Sequence, residues 1–243
     1  MKSNTPYITV SQMREVDQLM INEYGISLIQ MMENAGRHLA ELTFRYMKFI
    51  SEFPKITVIV GAGNNGGGGM VAARHFSNRG FNVTTILLSN ESHLKPVPKK
   101  QWRILQNLPV KLINQPSVLR LKEIISNSDV IIDAIIGYGI IGYLRDITKE
   151  YIQIINNNSS IIVISLDAPT GFRFDKKNEL ASVVKATATL SLALPKVGMD
   201  DPKNKAILGD LYLGDISVPP TLYDQMGFGL VSPFISKPII RIH

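Results

Sequence analysis

Cysteine is absent from the 243-residue chain. Disulfides, thiolate metal sites and cysteine nucleophiles are thereby excluded, and a reducing compartment is the natural setting. Histidine is scarce: His38, His75, His93 and His243 show no metal-ligand spacing. Long apolar runs are also missing. The longest, Val130 to Leu144, is broken by Asp133 and several glycines and is too short to span a bilayer. Met1 to Thr9 lack the apolar centre of a signal peptide, so a cytoplasmic protein is expected. The lone tryptophan, Trp102, reads as a packing residue. Charge is modest, 19% of residues against 45% hydrophobic, which is a globular balance. The net charge of +6 suits phosphorylated ligands. Its densest cluster, Lys95-Pro96-Val97-Pro98-Lys99-Lys100, carries no interleaved aromatics and reads as a solvated helix start, not a nucleic-acid site. With no repeat and no linker, a single domain over residues 1–243 is expected.

Two helices come first, within residues 11–50. Met13, Val16, Met20 and Tyr24 recur at helical spacing and end at Gly25. Ser27-x-x-Gln30 is a capping-box pattern opening a second helix whose face is Met31, Ala35, Leu39, Leu42 and Tyr46. Over residues 55–218 apolar strands alternate with helices. Strands are expected at 56–60, 82–88, 110–113, 130–136, 161–166, 187–193 and 211–216, and helices near 69–79, 98–107, 117–125 and 147–155. The alternation predicts an α/β fold: a doubly wound, mainly parallel sheet in three αβα layers, finishing mixed. Residues 219–243 form a tail rich in Pro and Gly, expected to pack on a neighbour or fray.

The most informative segment is Ile56-Thr57-Val58-Ile59-Val60-Gly61-Ala62-Gly63-Asn64-Asn65-Gly66-Gly67-Gly68-Gly69. It reads as a buried strand, a glycine turn and a helix N-terminus, the arrangement whose bare N–H groups receive phosphate. A turn built only for packing needs two or three glycines, and here six fall in nine residues beside paired asparagines. Two further strand ends carry polar groups. Asp133 sits inside Val-Ile-Ile-Asp-Ala-Ile-Ile, costly unless paired or hydrogen-bonded. Asp167-Ala168-Pro169-Thr170-Gly171 closes the fifth strand. Singly, Asp133 reads equally as a cap for loop amides and Asp167 as an Asx-type turn. Together, facing one glycine-rich segment, they favour a shared site.

These residues, with Met32-Glu33-Asn34-Ala35-Gly36, Val71-Ala72-Ala73-Arg74-His75, Pro195-Lys196-x-Gly198 and Asp215-Ile216, resemble the YjeF N-terminal domain family. The resemblance implies an NAD(P)H-hydrate epimerase that interconverts the R and S forms of NADHX or NADPHX, nicotinamide cofactors hydrated at C6. It implies a potassium ion held by Asn65, Asp133 and Thr170, the last in place of a more usual Ser. Substrate contacts are implied for Asn64, Asn65, Gly66, Gly67, Gly68, Gly137, Tyr138, Gly139, Ile140, Ile141, Gly142, Tyr143 and Asp167. A homodimer through the two N-terminal helices is implied, as is a separate ADP- or ATP-dependent dehydratase completing the repair, because no second domain follows here.

The hydrogen on C6 is not acidic, so inversion is easier by loss of hydroxide to an iminium and readdition of water. Asp167 is the candidate acid–base group, and Asp133 the candidate ion ligand. Lys196 reads as a phosphate contact or a surface cation, and His75 as a packed or surface residue. Gly68 replaces the usual family Asp. Placed at a helix start, it is expected to leave nucleotide binding intact and slow turnover, which Gly68→Asp would then raise. Two other readings stay open: a scaffold of the same fold, and an NAD(P)-dependent oxidoreductase. The latter lacks the acidic residue expected at the second strand's end, where Leu88-Ser89-Asn90-Glu91 stands.

Overall fold

The computed structural model describes residues 5–48, 50, 53–139, 144, 146–174, 178 and 182–243. Two helices lead, α1 (Val10–Asn22) and α2 (Leu28–Met47). There follow β1 (Ile56–Val60), α3 (Asn64–Ser77), β2 (Val83–Leu87), α4 (Pro96–Leu105), β3 (Lys111–Asn114), α5 (Val118–Ser126) and β4 (Val130–Ala134). Then come α6 (Asp146–Asn156), β5 (Ile162–Leu166), β6 (Ala188–Leu192), α7 (Lys205–Leu208), β7 (Asp210–Gly214), α8 (Pro220–Gln225) and β8 (Ile239–Arg241).

The sheet order is β3-β2-β1-β4-β5-β6-β7-β8. All neighbouring pairs are parallel except β7 with β8. One face is covered by α2, α3 and α4 through Leu39, Met70, Phe76 and Trp102. The other is covered by α5 and α6 through Leu121, Ile125, Tyr151 and Ile152. The doubly wound, three-layer expectation therefore holds, and the sheet finishes mixed. The eighth strand comes from the C-terminal segment, which pairs within its own chain: the Ile242 N–H donates to the Leu211 carbonyl at 2.8 Å.

Helix α1 is set by Thr9, whose Oγ1 accepts the Gln12 N–H while Gln12 Oε1 accepts the Thr9 N–H. Its Met13, Val16 and Met20 are buried against Leu194, Ile216 and Leu222. Burying such side chains contributes about 1.5–3 kcal/mol each, enough to lay this short helix over the carboxyl ends of the strands.

A correction concerns α3. It begins at Asn64, so Gly66, Gly67 and Gly68, expected to lie in a loop, are inside the helix with Gly69. They are needed there because α3 is wedged between α2 and the sheet. A Cβ on Gly67 would stand 2.5 Å from Met32 Sδ, and one on Gly69 would stand 2.6 Å from Ala134 Cβ. From the facing helix, a Cβ on Gly36 would stand 2.5 Å from the Gly68 carbonyl oxygen. Gly36→Ala is therefore expected to destabilise the protein by about 1–3 kcal/mol through overpacking, measured by urea denaturation. An unchanged midpoint would show that α2 and α3 have room to separate.

Candidate active site

In doubly wound sheets ligands gather at the carboxyl ends of strands, where the strand order reverses. Here that point lies between β1 and β4, whose last residues, Val60 and Ala134, are register partners. A cavity of about 560 Å³ opens there, lined by Asn64, Asn65, Gly137, Tyr138, Asp167 and Lys196, among others.

The α3 N-terminus forms one wall. Its cap residue, Gly63, supplies no side-chain acceptor, so the first N–H groups of the helix are left without one. Asn64 is exposed, and the Asn65 Nδ2 is buried with no hydrogen-bond partner among the described residues. Gly68 also lines the cavity, but as the fifth residue of α3 it stands beyond the first turn and is buried. The helix-dipole argument made for it from sequence therefore does not apply. A Cβ there would stand 2.7 Å from Leu166 Cδ2. Gly68→Asp must displace that buried tip, and a lower melting temperature is expected in thermal denaturation. An unchanged one would show that Leu166 yields freely.

Asp167 faces this wall from the end of β5. Its φ of 66° places it in the left-handed region, sparsely occupied except by Gly, Asn and Asp. That backbone is held by its N–H donating to the Leu190 carbonyl at 2.7 Å. The side chain is not an Asx turn. Its Oδ1 accepts from Lys196 Nζ at 2.6 Å and its Oδ2 from the Tyr138 N–H at 2.7 Å. The carboxylate fills the space where a Cβ on Gly137 would lie, which accounts for glycine at that position.

Lys196 corrects the sequence reading. It is wholly buried, not a surface cation, and also donates to the Leu192 carbonyl at 2.9 Å, with its Nζ 5.6 Å from the Tyr138 ring centroid. Asp17, which sequence reasoning passed over, enters from α1 and accepts a hydrogen bond from the Tyr138 hydroxyl. The signal for it was present. Asp17 lies one turn from Met13 and from Met20 on the helix's apolar side, where a carboxylate is costly without a purpose. Lys95, expected only as part of a solvated helix start, caps α4 and stands exposed at the cavity rim. His75, expected to be packed or at the surface, is half-buried and pairs with Glu33 at 3.0 Å, and Trp102 is buried.

Asp133 and Thr170 meet behind this wall. The parallel register sets Asp133 beside Ser165, whose hydroxyl donates to it at 2.9 Å. Thr170 donates twice, from Oγ1 at 2.6 Å and from its N–H at 2.8 Å. Burial pushes the Asp133 carboxyl above the usual carboxylate range, opposed by these hydrogen bonds. Asn65 bonds to neither residue in the structure; its Oδ1 lies beside Gly137. The three side chains offer oxygen donors only, a set suited to a hard cation, and Asp133 is in no ion pair among the described residues. Of the segment expected to contact substrate after β4, Gly137, Tyr138 and Gly139 border the cavity. Ile140, Ile141, Gly142 and Tyr143 lie outside the described residues.

This chain is 36% identical, over 97% of its length, to the NAD(P)H-hydrate epimerase of Dehalogenimonas lykanthroporepellens, of which it covers 92%. It is 31% identical, over 89% of its length, to the bifunctional NAD(P)H-hydrate repair enzyme Nnr of Thermofilum pendens, of which it covers 41%. The crystal structure of yeast ynu0 has the same fold, with a TM-score of 0.84 at 24% identity, covering 97% of this chain and 99% of that one. The pattern of the YjeF-related protein N-terminus family matches residues 28–198, which contain the α3 glycines, Asp133, Asp167, Thr170 and Lys196, and the chain belongs to that family.

Proposed function

We propose that this protein is an NAD(P)H-hydrate epimerase, interconverting the R and S forms of nicotinamide cofactors hydrated at C6. The observation that carries the chemistry is Asp167, a buried carboxylate paired with Lys196 on the wall of a cavity that the α3 N-terminus also borders. The extent of similarity to proteins named for this activity supports the same reading. C6 of the hydrate carries a hydroxyl next to the ring nitrogen. Proton delivery to that hydroxyl lets it leave as water, the nitrogen lone pair forming an iminium. Water adding to the other face, with loss of its extra proton, gives the opposite isomer. Asp167 is the group assigned to move a proton at the oxygen, and a negative charge there favours the cationic intermediate.

Substrate phosphates fit the uncapped N–H groups at Asn64 and Asn65, with Lys95 at the rim. Lys95→Ala is expected to raise KM about fivefold with kcat nearly unchanged, the effect of losing a partly screened charge contact of roughly 1 kcal/mol. Steady-state kinetics on the hydrate checks this, and an unaltered KM would place the phosphates elsewhere. At the end of β2, Ser89 is buried in the cavity wall and Glu91 lies in a separate short turn, so the acidic ribose partner of a hydride-transfer enzyme is not at its usual place.

Asn65, Asp133 and Thr170 are the proposed ligands of a potassium ion, which when bound supplies positive charge that keeps Asp133 ionised. The wild type is expected to melt higher in potassium than in a bulky organic cation, and Asp133→Asn to lose that difference. Equal responses in the two proteins would remove the ion from this site. A homodimer through α1 and α2 is also proposed. Met13, Met20, Met31 and Met32 are buried within the chain, which leaves Ile21 and Ile29 as the exposed large apolar positions there. A monomeric full-length protein in light scattering would overturn it. Together with an ATP- or ADP-dependent dehydratase, the epimerase would make both hydrate forms repairable.

A further inference from the structure

Inversion at C6 moves protons at oxygen on both faces of the ring, and Asp167 stands on one side only. The cavity holds a second carboxylate. Asp17 reaches it from α1 and accepts the Tyr138 hydroxyl, while Asp167 accepts the Tyr138 N–H. The two carboxylates thus stand at the two ends of one tyrosine, backbone and phenol. Both carboxylates line the same cavity. Their surroundings differ. Lys196 pairs directly with Asp167, whereas Asp17 is in no ion pair among the described residues. The groups facing Asp17 are Tyr138, Lys196 and Asp167, with Arg14 nearby on its own helix acting on Tyr138. Burial pushes the Asp17 carboxyl up, aided by Asp167 and opposed by Tyr138 and Lys196, so Asp17 holds a proton more readily than an exposed carboxylate does.

We propose that Asp17 is a second acid–base residue of this site, serving the face of the substrate ring opposite Asp167, with Tyr138 fixing the distance between them. The inference rests on the epimerase reading. In one direction the Asp17 carboxyl gives its proton to the C6 hydroxyl, the C–O bond breaks with its electrons leaving on water, and the ring nitrogen lone pair forms the C=N bond. A water on the other face then bonds to C6, the C=N pair returns to nitrogen, and the extra proton goes to Asp167. The reverse reaction, or exchange with solvent, restores both groups.

The test separates loss of oxygen from inversion. Each hydrate isomer is incubated in water enriched in oxygen-18, with label and configuration followed by chiral chromatography and mass spectrometry. In the wild type, label enters as configuration inverts. Asp17→Asn is expected to slow inversion by about 10²-fold or more, the lower range for a lost acid–base group, while one isomer still exchanges label with retention through Asp167. Asp167→Asn is expected to leave retention exchange in the other isomer. Should Asp17→Asn fail to fold by thermal melting, Tyr138→Phe keeps the N–H to Asp167 and removes only the contact to Asp17, and inversion should fall more than exchange. The proposal is overturned if folded Asp17→Asn inverts within about threefold of the wild type, or if exchange and inversion fall together in these variants. A wild type that neither exchanges nor inverts would instead overturn the epimerase reading itself.

Discussion

Asp167→Asn is expected to lower turnover of the hydrate by about 10²–10⁴-fold, the range for a lost general acid–base group. The variant keeps the size of the side chain and an oxygen able to accept the Tyr138 N–H, so the segment after β4 should stay in place. Affinity is expected to change little, because the α3 N-terminus and Lys95 are untouched. A fall in kcat with KM nearly constant, measured over the full substrate range, is the signature of a group acting at the reacting atoms. If KM rises and kcat stays, Asp167 binds substrate without moving a proton.

The second large effect is on stability. Lys196 and Asp167 are a buried ion pair, with side chains 0% and 4% exposed. Taking one charge away leaves the other uncompensated in a low-dielectric setting, a loss of about 3–5 kcal/mol in comparable pairs. Lys196→Met, which retains the apolar length of the side chain, is expected to lose stability on that scale and activity with it. The double variant Lys196→Met/Asp167→Asn should regain most of the lost stability and none of the activity. Urea denaturation of all four proteins provides the cycle. Additive losses would mean that the two residues are not coupled, and that the pair serves folding in some other way.

Much of this was readable from residues alone, for identifiable reasons. The β-branched runs at Ile56–Val60 and Val130–Ala134 are buried on both faces, and such runs announce central parallel strands. Asp133 stood out because a carboxylate in that run needs donors, and the register with β5 supplies Ser165. The start of α3 was hidden because four glycines in a row oppose helix formation by intrinsic preference. Burial outweighs preference there, since Met32, Leu166 and Ala134 occupy the places of the missing side chains. The eighth strand was hidden by its length, three residues following a proline in a tail otherwise lacking pattern. Lys196 was ambiguous for a different reason. A lysine after a strand turns inward only if something across the fold neutralises it, and that partner lies 29 positions away. Asp17 belongs to the first helix, and only tertiary packing brings that helix over the sheet.

The central claim is inversion at C6 carried by Asp167, and it is tested most directly with a single pure isomer. The R hydrate of NADH is incubated with the protein in potassium buffer, and the S form is resolved by chiral chromatography over time. The account predicts S accumulating toward an equilibrium mixture with the wild type, and at a rate about 10²–10⁴-fold lower with Asp167→Asn. No S form above the protein-free control, or equal rates for the two proteins, would contradict it.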